Sequence, residues 1–203
     1  MTGESKSDLT RKRILDAGRV LLLRHGFSGV GLSRILAESG VPKGSFYHYF
    51  ASKEAFGAAL LEDYVAQYLA RVDALAAGPG TAGEKLGAFW DAWLEQAGDA
   101  GIASECLVVK LGAEVADLSE PMREILDRGI DALILRLAAL LRDGAKDGSI
   151  RAFDAPKTTA RMLYATWLGA AVLAKLARSD APLRAARDET AARLAPSGPP
   201  ETT

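Results

Sequence analysis

Histidine and cysteine are almost missing from this chain, with two and one among 203 residues. A lone thiol, Cys106, excludes an intramolecular disulfide framework and fits a reducing compartment. So few soft ligands argue against a zinc site, and neither metal-ligand spacing nor a glycine-rich phosphate loop occurs, so no metal and no cofactor is expected. No apolar run reaches the ~18 residues of a membrane span. The polar opening MTGESKSDLTRKR has no apolar stretch of the signal-peptide kind, so a cytoplasmic location without a membrane partner is expected. A cysteine-based enzyme would need a base near Cys106, yet both histidines, His25 and His48, fall in the first quarter of the chain, and no enzyme is expected.

Period-two alternation is also absent, and Ala, Leu, Arg and Glu dominate, which reads as an all-α chain of about nine helices. Ile14, Ala17, Gly18 and Leu21 mark the buried face of a first helix, from near Asp8 to His25. A second helix covers residues 31–40, with Leu32, Ile35 and Leu36 inward and Gly40 as its stop. Pro42 opens a short third helix through about Tyr49, and Ser52 caps a fourth. The run Gly78-Pro79-Gly80-Thr81-Ala82-Gly83 separates helices. Beyond it come an aromatic helix, a segment at residues 106–115, and a long helix from near Ser119 to about Asp143. After a turn at residues 145–148, helices over residues 156–178 and 182–194 follow. The expected division is an N-terminal three-helix helix-turn-helix domain over 8–68 and a C-terminal helical domain over 69–195, with a disordered tail, 196–203.

Charge is unevenly placed. Residues 1–60 carry nine Lys/Arg and five Asp/Glu, against sixteen and twenty-one in the rest. A basic front on an acidic body points to a polyanion met only at the front. There the stretch VPKGSFYHYFASKEAF crowds aromatic rings with polar tips behind a proline. A helix, a Gly-Val turn and a second helix entered at a proline are a helix-turn-helix pattern, at residues 31–50, whose second helix lies in the major groove of double-stranded DNA. The groups expected to face DNA are Ser33, Lys43, Gly44, Ser45, Tyr47, His48, Tyr49 and Lys53. Phe46 and Phe50, four apart, share one face and pack on the first two helices.

The stretch ILDAGRVLLLRHGFSGVGLSRILAESGVPKGSFYHYFASKEAF, with its Gly-Phe turn and its Tyr-x-Tyr-Phe block before Ser-Lys-Glu, resembles the N-terminal domain of TetR/AcrR-family transcriptional regulators. The resemblance implies an all-helical homodimer on a palindromic operator, and a larger C-terminal domain that binds an effector and carries the dimer interface. Residues 104–123, SECLVVKLGAEVADLSEPMR, and 163–179 resemble a subgroup of the family that senses electrophiles and oxidants through a cysteine. That likeness implies a sensor at Cys106 with Lys110, and sets Lys175 where the subgroup has a lysine that reacts or pairs with the thiol. Read by themselves, the residues leave Cys106 open between a reactive thiolate and an inert, buried small hydrophobe. Phe89, Trp90, Trp93, Tyr164 and Trp167 suit either an inducer pocket or a packed core. The expected function is a repressor released when Cys106 is modified; the alternative is an inducer held non-covalently in the C-terminal domain. Leu168, Gly169, Ala170, Ala171 and Ala174 offer a small-residue face for a dimer contact or for packing within one subunit.

Overall fold

A computed structural model describes residues 5–95 and 106–196, and the chain divides into two compact units. The first takes in residues 1–67 and 110–128, the second residues 68–109 and 129–203. Nine helices, and no strand, occur among the described residues. The tail from residue 197 on lies outside them.

In the first unit α1 (Lys6–His25) starts at a reciprocal cap. The Asp8 amide donates to the Ser5 hydroxyl and the Ser5 amide to the Asp8 carboxylate, which satisfies two amides at the helix start. Gly26, at φ 76°, ends it. α2 (Leu32–Ser39) stops at Gly40 in the left-handed region, and α3 (Lys43–Tyr49) opens behind Pro42. α4 (Lys53–Ala77) is capped by Ser52, whose Oγ accepts the Ala55 amide at 2.9 Å. Ile14, Leu22, Ile35, Phe46 and Phe56 are fully buried at the centre of this unit. The rings of Phe46, Phe50 and Phe56 lie 5.3–5.6 Å apart, centre to centre.

Gly18 is where α1 meets α4. A methyl group there would sit 2.2 Å from Cζ of Phe56, a ring already boxed in by Phe46 and Phe50. Gly18→Ala is therefore expected to destabilise the unit. Alanine's helix propensity favours it by about 1 kcal/mol, but overpacking costs about 1–3 kcal/mol. A melting temperature equal to or above that of the wild type would refute the close approach.

The second unit holds α5 (Ala82–Glu95), the far part of α4, and most of α7 (Glu120–Asp147), with α8 (Pro156–Ala177) and α9 (Ala181–Leu194). α6 (Leu107–Leu118) begins in this unit and continues into the first. α7 runs a turn past the expected end near Asp143. Its stop is Gly148, at φ 77°, and the Ile150 amide returns to the Gly144 carbonyl. The extra turn has a use. Asp147 Oδ2 accepts the Ala82 amide and Ser149 Oγ the Gly83 amide, so the end of α7 caps the start of α5. The Ala82 amide, then Ser149, hold the Asp147 carboxyl below its usual range.

The small-residue face of α8 divides differently from the sequence expectation. Ala170, Ala171 and Ala174 are buried in the core of their own unit, whereas Gly169 is exposed with nothing near its Cβ position. Ala174 is therefore an intrasubunit packing residue. The outer face of α8 is apolar instead: Met162, Val172, Leu173 and Leu176 are 53%, 43%, 57% and 78% exposed. With Gly169 they stand at positions 162, 169, 172, 173 and 176, two turns and then one turn apart, which places them along one stripe of the helix.

Candidate nucleic-acid interface and sensor thiol

α3 separates its residues cleanly. Phe46 and the following Phe50 turn inward at 0% and 3% exposure. Lys43, Gly44, Tyr47 and His48 are exposed, and Ser45 and Tyr49 half-buried. Tyr47 stands edge-on to Phe46 with ring centres 5.6 Å apart, and His48 edge-on to Tyr49 at 5.0 Å. The polar tips thus stand outward on a hydrophobic footing, which fixes their direction at little entropic cost. Gly44 has open space where a Cβ would be, so packing within the chain does not demand glycine. Its bare backbone suits close approach by something outside the chain. Ser33 is exposed at the start of α2, and the Ser7 hydroxyl donates to Tyr49 Oη at 3.4 Å.

Lys53, expected to face DNA, is half-buried. Its Nζ donates to the Phe27 carbonyl at 2.7 Å and lies 4.5 Å from the centre of the Phe27 ring. Burial lowers its pKa, and the Glu114 carboxylate works against that. Sequence reasoning passed over Lys6, Arg11, Lys12 and Arg13, an exposed basic run on the first turns of α1, and the exposed Arg34 beside Ser33. The charge imbalance of the first sixty residues held the signal, but not which face those residues share.

Cys106 directly precedes α6 and is 4% exposed. Lys110, on the first turn of α6, is exposed, and so is Lys175 near the end of α8. Two phenols in the second unit feel the thiol. Tyr68 and Tyr164 are pushed well above the ordinary tyrosine range by burial first and by the negative charge of a Cys106 thiolate next. Tyr68, in mid-α4, was not among the sequence candidates; its place beside the thiol depends on packing. Of the stretch 104–123 that resembles the cysteine-sensing subgroup, Ser104 and Glu105 lie outside the described residues.

The five aromatics read as either pocket or core do come together. Trp90 stacks on Trp167 at 5.0 Å and 16°, Phe89 stands edge-on to Trp90, and Trp93 meets both Tyr164 and Trp167 edge-on. All five are at most 5% exposed, so they form core. The Trp167 indole donates to Thr190 Oγ1 at 3.0 Å. The buried Trp90 N–H meets no acceptor, and the Trp93 N–H makes no well-aligned bond although the Tyr68 phenol responds to it. A partly open cleft of about 250 Å³ lies beside Trp90, lined also by Gly87, Asp91, Ser149, Arg187 and Thr190. Among the described residues no group of His, Cys, Asp and Glu is arranged to hold a metal, and no helix is long and apolar enough to cross a membrane.

Residues 14–60 match the bacterial regulatory proteins of the tetR family, and residues 82–190 match the tetracyclin repressor-like C-terminal domain. The HTH-type transcriptional repressor NemR of Escherichia coli K12 is 45% identical over 175 residues, 86% of this chain and 88% of NemR. The chain belongs to the TetR family. The transcriptional regulator AcuR of Cereibacter sphaeroides is 33% identical over 89% of this chain and 83% of its own. The crystal structure of the reduced form of E. coli NemR superposes with a TM-score of 0.88 at 41% identity, covering 94% of this chain and 99% of that one. The protein is accordingly a DNA-binding transcriptional regulator, similar to NemR, with an N-terminal helix-turn-helix and a C-terminal helical domain.

Proposed function

We propose that this regulator is a repressor that binds a palindromic operator as a homodimer and leaves it when Cys106 is modified by an electrophile or oxidant. The DNA contacts are assigned to Ser33, Lys43, Gly44, Ser45, Tyr47, His48 and Tyr49, joined by the basic run of α1. The division of α3 into a buried Phe46 face and an exposed Lys43–Tyr47–His48 face carries this part of the reading. Lys53 enters it as a positioning group that holds the Phe27 turn. The apolar stripe of α8 supplies the dimer contact, because a stripe of that size facing water calls for a partner. Two recognition helices then reach successive turns of one DNA face, ~34–36 Å apart. The name and 45% identity of NemR support repression. Sensing by Cys106 is supported by the chain's one thiol lying at the start of α6.

A second reading has an observation of its own. The Trp90 N–H is buried without an acceptor beside an open cleft, which suits a small apolar inducer with a carbonyl or carboxylate.

Selection of the protein on random duplexes should return a palindrome. On the selected site, Lys43→Ala is expected to weaken binding to all sequences alike. It should also lower the slope of log affinity against log salt by about one unit. An unchanged slope would remove Lys43 from the phosphate contacts.

A further inference from the structure

The helix-turn-helix is held at both flanks by one short segment from far along the chain. On the near flank, Glu114 of α6 bridges the turn after α1: its Oε2 accepts the Phe27 amide at 3.0 Å and its Oε1 the Ser28 amide at 2.7 Å. Gly26 admits the carboxylate, since a Cβ there would stand 2.9 Å from Oε2, at a φ of +76° that other residues rarely adopt. Lys53 pulls on the same turn through the Phe27 carbonyl. On the far flank, Ser119, between α6 and α7, donates from Oγ to Glu54 Oε1 at 2.5 Å, on the first turn of α4. Ser119 is 6% exposed and also accepts the Met122 amide. Every residue of α2 and α3 lies between these two attachments. The packing around them leaves no slack, because a Cβ on Gly57 would be 2.5 Å from Phe27 and 2.7 Å from Met122.

Burial by itself would raise the Glu114 carboxyl. The amides of Ser28 and Phe27, the Ser28 hydroxyl and Lys53 outweigh that and hold it below its usual range. It is therefore a charged acceptor, which makes both bonds strong.

We propose that Glu114 and Ser119 are the positioning residues through which α6 sets the placement of α2 and α3, so that a displacement of α6 reaches the DNA-binding helices at both ends together. As a release mechanism this rests on Cys106 sensing; as a mechanical link it does not. The two attachments stand five residues apart on one helix and its end, so neither moves without the other.

The test uses the full-length protein, its selected operator, and the variants Glu114→Gln, Ser119→Ala and the pair. Operator affinity is measured before and after N-ethylmaleimide. The wild type is expected to lose roughly 5–150-fold, and the paired variant less than about two-fold. A purely structural role weakens binding in both states alike and leaves the wild-type ratio; that result overturns the proposal. A second readout does not involve the thiol. Because coupling between sites is reciprocal, operator binding should slow hydrogen exchange across residues 107–118 in the wild type and not in the variants. Unchanged exchange in the wild type overturns the link. Slowed exchange together with no response to N-ethylmaleimide upholds the link and refutes Cys106 as the sensor. If the paired variant melts below the assay temperature, the single variants decide, each expected to keep less than half of the wild-type ratio.

Discussion

Cys106→Ser is expected to hold its operator in N-ethylmaleimide while the wild-type chain releases it. The thiol is 4% exposed, and Leu107, Leu111 and Val115 of the α6 that follows are at most 1% exposed. A maleimide adduct has no room in such packing, and close-packed helices answer added volume by shifting as units. Serine fills nearly the same space and does not add to the maleimide double bond, so the unmodified variant should bind within about two-fold of wild type. The wild type should weaken roughly 5–150-fold on modification. Burial also means slow modification, since the reagent must reach a thiol that is 4% exposed. Gel shifts after timed exposure, with mass spectrometry to count adducts, make the comparison. Release of Cys106→Ser by the reagent would identify Cys106 as a core residue and favour a non-covalent inducer beside Trp90.

Leu173→Glu combined with Leu176→Glu should give a folded monomer that has lost the operator. The two side chains are 57% and 78% exposed, so a carboxylate there costs the isolated subunit little. Facing a second copy, the same carboxylates would be buried against apolar surface without partners. Joined half-sites gain roughly 10²–10⁴-fold over single ones, and that is the expected loss. Sedimentation and the melting curve read the two parts separately. A dimer that persists with normal operator affinity would place the interface elsewhere. Ala174, buried in its own unit, belongs to packing and would be the wrong position for this test.

Local information carried far in this chain. The helix punctuation at Gly26, Gly40, Pro42 and Ser52 was legible because each signal acts within a few residues, and so was the break after α4, although it spans 78–81 and Ala82 and Gly83 already belong to α5. So was the inward turn of Phe46 and Phe50, which follows from helical spacing. The end of α7 was misplaced by a turn because Asp147 and Ser149 are recruited by amides more than sixty residues away in sequence. The bond from Lys53 to the Phe27 carbonyl was not legible, since nothing near Lys53 in sequence discloses that acceptor.

By itself the sequence determined that this protein is all helical, that its front end carries a DNA-reading motif, and that it has a single thiol. Those properties rest on residue type and short-range spacing, which are written along the chain. Only the tertiary structure decided which face of α8 looks outward, that the five aromatics pack as core, that Tyr68 and Tyr164 lie near Cys106, and that Glu114 and Ser119 hold the flanks of the helix-turn-helix. Glu114 stands 86 residues from Ser28, and Ser119 stands 65 from Glu54. Contacts at that separation depend on how whole helices pack, and helical spacing specifies which face is apolar without specifying what covers it.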